Sequence, residues 1–293
     1  MASPYRFWIG LALMLSLAAS ARAQQVMAPT EDAAHLQARL SAHWAMPGQP
    51  MPADQAELDQ MVKEKRFVDL TKRLQSANTI DTVHLDLNWE QARLFDGAGF
   101  IIALGYMHDL WREGISLPPP NGDQLKRSAG AMMLYTLALI EIDGPQCGDR
   151  TAPGHRMDQL AQQGQPIFAF VKTLPRDERM KLGAAALTVE AATAPVRGQD
   201  DVLCRDGMEE MNANLKAWGD KPLPTIPCPP GGSVGVCRGV PEDPNYRPQF
   251  LSPAAWKPKQ AQMRSQMPGL LTRLLSLPGE TTTTTPPAAA PKG

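Results

Sequence analysis

Two stretches of this chain, Gly97-Ala-Gly-Phe-Ile-Ile-Ala-Leu-Gly-Tyr106 and Ala129-Gly-Ala-Met-Met-Leu-Tyr-Thr-Leu-Ala-Leu-Ile140, are apolar nearly all the way round a helical wheel. A helix without a polar face has to be buried on several sides, so both belong at the centre of a folded unit. The helices that carry them are predicted over 80–111 and 123–142, and only the break around Pro118-Pro-Pro-Asn-Gly122 separates them. Adjacent buried helices with a short connection form an antiparallel hairpin. Every other element must then be laid around that hairpin.

The remaining chain supplies such elements. Alternating β-branched runs are almost absent, and the periodic stretches are built from Ala, Leu, Met, Gln, Lys and Arg, which cost little in a helix. A short helix is expected over 30–44, with Thr30 as its N-cap. Residues 53–77 read as two short helices joined at Lys63-Glu-Lys-Arg66, or one bent helix. A helix over 156–173 is kinked or split by Pro166, and another runs from Pro175 to Ala194. Over 199–218, Cys204, Met208, Met211, Leu215 and Trp218 fall on one stripe, predicting a helix with that face buried. A last helix starts at Ser252 and presents Trp256, Met263, Met267, Leu270 and Leu274, with Pro258 and Pro268 bending it. The fold class is all-α, an irregular multi-helix bundle of about seven or eight helices. No internal repeat recurs at a fixed period.

The organisation read from this pattern has six parts. Residues 1–23 are a leader, 24–52 an N-terminal arm, and 53–218 the helical domain. Residues 219–251, with eight prolines, form an irregular Pro-rich loop; 252–278 is the C-terminal helix packed on the helical domain. The Thr/Pro/Ala tail over 279–293 buries too little to offset its ordering entropy and is expected to be disordered.

The leader sets the compartment. Arg6 precedes a short apolar run ending near Ala19, followed by Ala21-Arg-Ala23, the pattern of a secretory signal peptide cleaved after Ala23. The run is shorter than the ~20 residues that span a bilayer. The expected mature protein is periplasmic or secreted and has no membrane span. The whole chain carries a formal charge of -1, and loss of Arg6 and Arg22 makes it slightly more acidic. That balance argues against nucleic acid as a partner.

Export also decides how Cys147, Cys204, Cys228 and Cys237 are read, namely as two disulfides. Three pairings are open, of which Cys147–Cys204 and Cys228–Cys237 are preferred. The C-x2-4-C pairs of zinc sites and the C-x-x-C of redox centres are both missing.

Few residues point to chemistry. His84-Leu-Asp86-Leu-Asn-Trp-Glu90 puts Asp86 and Glu90 on one helix face, and reads as a solvated polar face rather than a ligand set. Asp96 and Glu141 interrupt or end the apolar helices, so they are the candidate catalytic carboxylates, with Arg93 or Arg127 as structural partners for Asp96. There is no G-x-S-x-G elbow, and Gly231-Gly-Ser233-Val-Gly235 lacks the strand, helix and Lys-Ser/Thr of a phosphate loop. The methionines at helical spacing read as core filler. No cofactor and no metal site is implied. The expected function is that of an exported bacterial envelope protein, a non-catalytic helical binding or interaction protein whose partner is another envelope protein. The alternatives are an envelope hydrolase using Asp96 and Glu141, or a bundle holding a metal or small ligand.

Overall fold

A computed structural model describes residues 32–226, 237–240, 243, 246–278 and 280. The leader, Thr30, Cys228 and the tail from 281 onward lie outside the described residues. Among those described the fold is all-α, with eleven α-helices and one two-stranded ribbon. No helix among them is long and apolar enough to cross a membrane.

The centre is α6 (Asn121–Asp143), whose all-round apolar sequence is answered by packing on every side. It lies against α5 (Phe100–Ser116), α7 (Ala152–Gln163), α8 (Gln165–Thr173), α9 (Arg176–Thr193) and α11 (Pro253–Leu275). Leu134, Tyr135, Ala138, Leu139 and Ile142 of α6 are inaccessible to solvent. Each fully buried aliphatic or aromatic side chain contributes about 1.5–3 kcal/mol, so this helix anchors the rest. The predicted antiparallel hairpin is therefore present as α5 and α6.

Its first arm differs from expectation. The span 80–111 is two helices, α4 (Ile80–Phe95) and α5, separated by Asp96-Gly97-Ala98-Gly99. Gly97 has φ +98°, and a Cβ there would lie 2.2 Å from the carbonyl oxygen of Val196. Only glycine permits both the left-handed turn and that close approach. The break lets α4 fold back along α5, which a continuous helix could not do. α4 opens with a capping box between Thr79 and Thr82.

Elsewhere the boundaries follow the sequence closely. The 53–77 stretch is two helices, α2 (Gln55–Lys63) and α3 (Phe67–Gln75), with Lys65 at φ +59° in the turn. Pro166 sits in the first turn of α8 and splits the 156–173 span into α7 and α8. The first helix, α1 (Ala33–Ala45), is capped by Asp32, not Thr30; Asp32 Oδ1 accepts from the amide of Ala34 at 3.0 Å. In α11 the buried stripe is Met267, Leu271 and Leu275, one residue round from the predicted face at its C-terminal end. The 219–251 stretch contains a short antiparallel ribbon, β1 (Thr225–Ile226) with β2 (Cys237–Arg238). Glu280, assigned to the tail, is instead held by Arg179 at 2.5 Å.

The predicted 199–218 helix needs the largest correction. α10 covers only Met208–Trp218, and its apolar stripe faces solvent: Met208, Met211 and Leu215 are 49%, 42% and 41% exposed. The buried side carries Glu210 and Asn214. Polar anchors reverse the helix. Asp149 and Thr151 accept from the amides of Glu209 and Met208 at 2.8 and 2.7 Å, and Glu210 accepts from the Asp206 amide at 2.7 Å. The first two bonds satisfy free N–H groups of the first turn, the third fixes the residue before the cap, and together they turn the hydrophobic stripe outward.

Cys147 and Cys204 form a disulfide whose two halves are buried. Cys237 is also disulfide-bonded, and its expected partner Cys228 lies outside the described residues. The buried bridge closes a separation of 57 residues, which the chain-entropy relation values at about 4 kcal/mol. Replacing both Cys147 and Cys204 by Ala is expected to lower the free energy of chemical denaturation by roughly that amount. Because α1–α6 precede the bridge, far-UV circular dichroism should retain most of the helical signal under native conditions.

Candidate functional site

The backward fold of α4 against α5 buries carboxylates. Asp86 and Glu90, four residues apart, lie on the face of α4 turned inward, and both are 0% exposed. On α5, Asp109 and Glu113 repeat that spacing and are 7% and 5% exposed. The expectation of a solvated face at Asp86 and Glu90 is therefore overturned. His84 alone of that stretch keeps an exposed side chain, with Nδ1 3.4 Å from Glu113 Oε1.

Two arginines answer part of this charge. Arg73 of α3 donates through Nη1 to Asp86 Oδ2 at 2.7 Å, and through Nε and Nη2 to the two oxygens of Asp54 at 2.5 and 2.7 Å. Arg112 of α5 meets Asp109 Oδ1 at 3.0 Å and donates to the carbonyl oxygens of Ala77 and Leu74 at 3.1 and 3.5 Å. Glu90 receives nothing. Both of its oxygens are buried without a hydrogen-bond partner, as are Asp86 Oδ1, Asp109 Oδ2 and Glu113 Oε2. Buried polar atoms are ordinarily satisfied, so this concentration of orphans demands a physical reason.

The electrostatic consequence is direct. Burial pushes the Glu90 carboxyl well above the ordinary carboxylate range, and the neighbouring negative charges of Asp109 and Asp86 add to it. Burial likewise raises Asp109, to about 7, against the pull of Arg112. Asp86 is raised by burial, with Arg73 opposing. Asp54, nearer solvent, is instead lowered by its hydrogen bonds from Arg73. Tyr106, whose hydroxyl accepts from Gln91 at 2.7 Å, is raised by burial.

A cavity of about 420 Å³ adjoins these acids, within the size range of small-molecule sites. Glu90, Asp109 and Arg112 line one part of it, and Leu70, Leu74 and Leu104 supply apolar wall. At its α7 side, His108 Nε2 meets Gln163 Oε1 at 3.0 Å. Burial lowers His108, which favours the neutral imidazole there. Gly105 makes room for the acid: a Cβ on it would lie 2.7 Å from Glu90 Oε1, so the carboxylate would have to shift.

A second buried charge network shows what a purely structural cluster looks like in this fold. Arg197 pairs with Asp143 and Glu190 at 2.8 and 2.9 Å and donates to Thr193 at 2.6 Å. Arg264 and Gln260 of α11 complete the carboxylates, at 2.9 and 2.8 Å. None of these carboxylate oxygens is a buried orphan. The Glu90 cluster differs in kind, because its charges outnumber its partners.

The two sequence-derived catalytic candidates lie elsewhere. Asp96 is exposed at the C-terminal end of α4 and pairs with Arg93 at 3.1 Å, the structural partner expected of it. Glu141 is half-buried in α6 and lines a separate cavity of about 430 Å³ with Cys147, Arg150, Lys259 and Met263; Asp96 is not part of that lining. No lining side chain there carries a buried unpartnered polar atom. Of the tryptophans, Trp89 is core and donates to Asp59 at 2.8 Å, Trp44 donates to Gln91 at 3.2 Å, and Trp111 lines the Glu90 cavity. Among the described residues no group of three or more His, Cys, Asp or Glu is arranged to hold a metal ion.

No family model, curated protein or solved structure matches the chain. The site therefore rests on its own geometry.

The raised carboxyls fix the sign of one pH dependence. A group titrating at about 7 when folded and at 3.8 in its ordinary state binds its proton more tightly in the native protein. Its contribution to stability is complete below pH ~4 and is lost as pH rises through ~7, on the order of 4 kcal/mol in all. Asp109→Asn should flatten the fall in stability between pH 4 and 8, measured by chemical denaturation across that range. Glu90→Gln should raise the denaturation midpoint at pH 8 and leave it nearly unchanged at pH 4.

Proposed function

We propose that this chain is an exported helical binding protein that holds a small ligand in the cavity between α3, α4, α5 and α7. The observation that carries the reading is Glu90, a carboxylate with no solvent exposure and two unpartnered oxygens, forming part of the cavity wall. A buried carboxylate without partners opposes folding when ionised. Stability is commonly given up in this way at sites that act on something else. The leader-like residues 1–23 and the buried disulfide support an oxidising, extracytoplasmic compartment.

Binding is preferred to turnover on the make-up of the wall. It combines Leu70, Leu74, Ile101, Leu104, Trp111 and Ile115 with convergent polar groups, the make-up of a small-molecule binding site. A second reading, an adaptor that presents a helix to another envelope protein, draws support from one feature. That feature is the outward stripe of Met208, Met211 and Leu215 on α10. It is an apolar face of the kind that marks interaction surfaces.

The test is native mass spectrometry of the protein isolated from its own compartment without denaturation. The wild-type protein is expected to carry a non-covalent small-molecule adduct that Glu90→Gln lacks, with both folded by circular dichroism. An adduct retained by the variant, or absent from both proteins, would contradict the reading.

A further inference from the structure

The charges around Glu90 do not balance. From α4 and α5 come Asp86, Glu90, Asp109 and Glu113, all buried. Facing them are Arg73 from α3 and Arg112 from α5, with His84, His108 and Tyr106 alongside. Arg73 is already shared between Asp54 and Asp86, and Arg112 reaches Asp109 and two backbone carbonyls while its buried Nε has no partner. His84 lies at the exposed end beside Glu113. α7 contributes only the amides Gln159 and Gln163 to the cavity. Glu90 is thus left with no positive charge in contact, in a place where an isolated carboxylate must find a proton or a cation.

We propose that the cavity beside Glu90 and Asp109 binds a small organic cation, an amine or guanidine carried on an apolar body. This rests on the reading of the chain as a binding protein and names its ligand class. The polar requirement comes from Glu90 and the free Oδ2 of Asp109, which offer acceptors for more than one N–H of an ammonium or guanidinium group. The apolar requirement comes from Leu70, Leu74, Ile101, Leu104 and Trp111 in the same wall. A bare divalent ion fits less well, because it needs six or more oxygens or an octahedral shell, and no three-ligand group stands among the described residues. Gly105 lets Glu90 Oε1 sit close against α5 at the cavity wall, since a Cβ there would lie 2.7 Å from that oxygen and displace it.

Isothermal titration of the purified protein with agmatine, putrescine and benzamidine tests this, with acetate, glycerol and calcium chloride as controls. At least one organic cation is expected to bind at pH 8, and the controls are not. Glu90→Gln should weaken that binding by at least about tenfold. Gly105→Ala should weaken it without altering any charge. Glu141→Gln, in the other cavity, should leave it unchanged. Affinity should rise about tenfold from pH 6 to pH 8, because a carboxyl titrating at about 7 is mostly protonated at the lower value and mostly ionised at the upper. Failure of all three cations, binding of calcium in their place, or equal affinity in Glu90→Gln would overturn the inference. A neutral or anionic adduct that Glu90→Gln loses would overturn the cation while sparing the binding-protein reading. Absence of both adduct and cation binding would overturn the two together.

Discussion

The packing of α5 against α6 is the contact on which the rest of this protein is laid. Each helix carries a stretch that is apolar nearly all round, so α7, α8, α9 and α11 gather around α6. α4 is folded back onto α5 by the turn at Gly97. That last step decides the character of the molecule. It brings a second row of acids against the row already on α5, in a place where only two arginines reach them.

The two buried charge clusters show how differently one fold treats ionisable groups. Around Arg197, three helices exchange hydrogen bonds until every carboxylate oxygen has a partner, which ties α6, α9 and α11 together. Around Glu90 the count is deliberately short by the standards of folded proteins. Removing a partner from the first cluster would leave a buried charge uncompensated; the second cluster is already in that state. Its cavity, its raised carboxyls and the glycine against which Glu90 packs all belong to one arrangement.

Much of the fold was legible in the sequence, for identifiable reasons. The helix over 123–142, the pair within 53–77 and the helix before Pro195 carry strong periodicity and proline or glycine punctuation. Asp96-Gly97-Ala98-Gly99 was present to mark the α4–α5 break, but the apolar stripe running through it masked the signal. The orientation of α10 was not legible, since side chains of Asp149, Thr151 and Glu210, brought in from the fold and from the helix itself, outweigh its hydrophobic stripe. The site was the least legible part. Acids at i and i+4 on a helix normally face water, and nothing local to 86–90 reveals that α3 and α5 cover them. The useful signal was the repetition of that spacing at Asp109 and Glu113 on a helix already known to be central.

Burial should leave Glu90 and Asp109 protonated at pH values where ordinary carboxyls are ionised. Carbon-13 NMR titration of side-chain carboxyls, assigned through Glu90→Gln and Asp109→Asn, measures this directly. One carboxyl resonance is expected with a midpoint of about 7, lost in Asp109→Asn. A second midpoint is expected well above the usual glutamate range, lost in Glu90→Gln. Ordinary carboxylate midpoints for both residues would show that burial does not hold these protons.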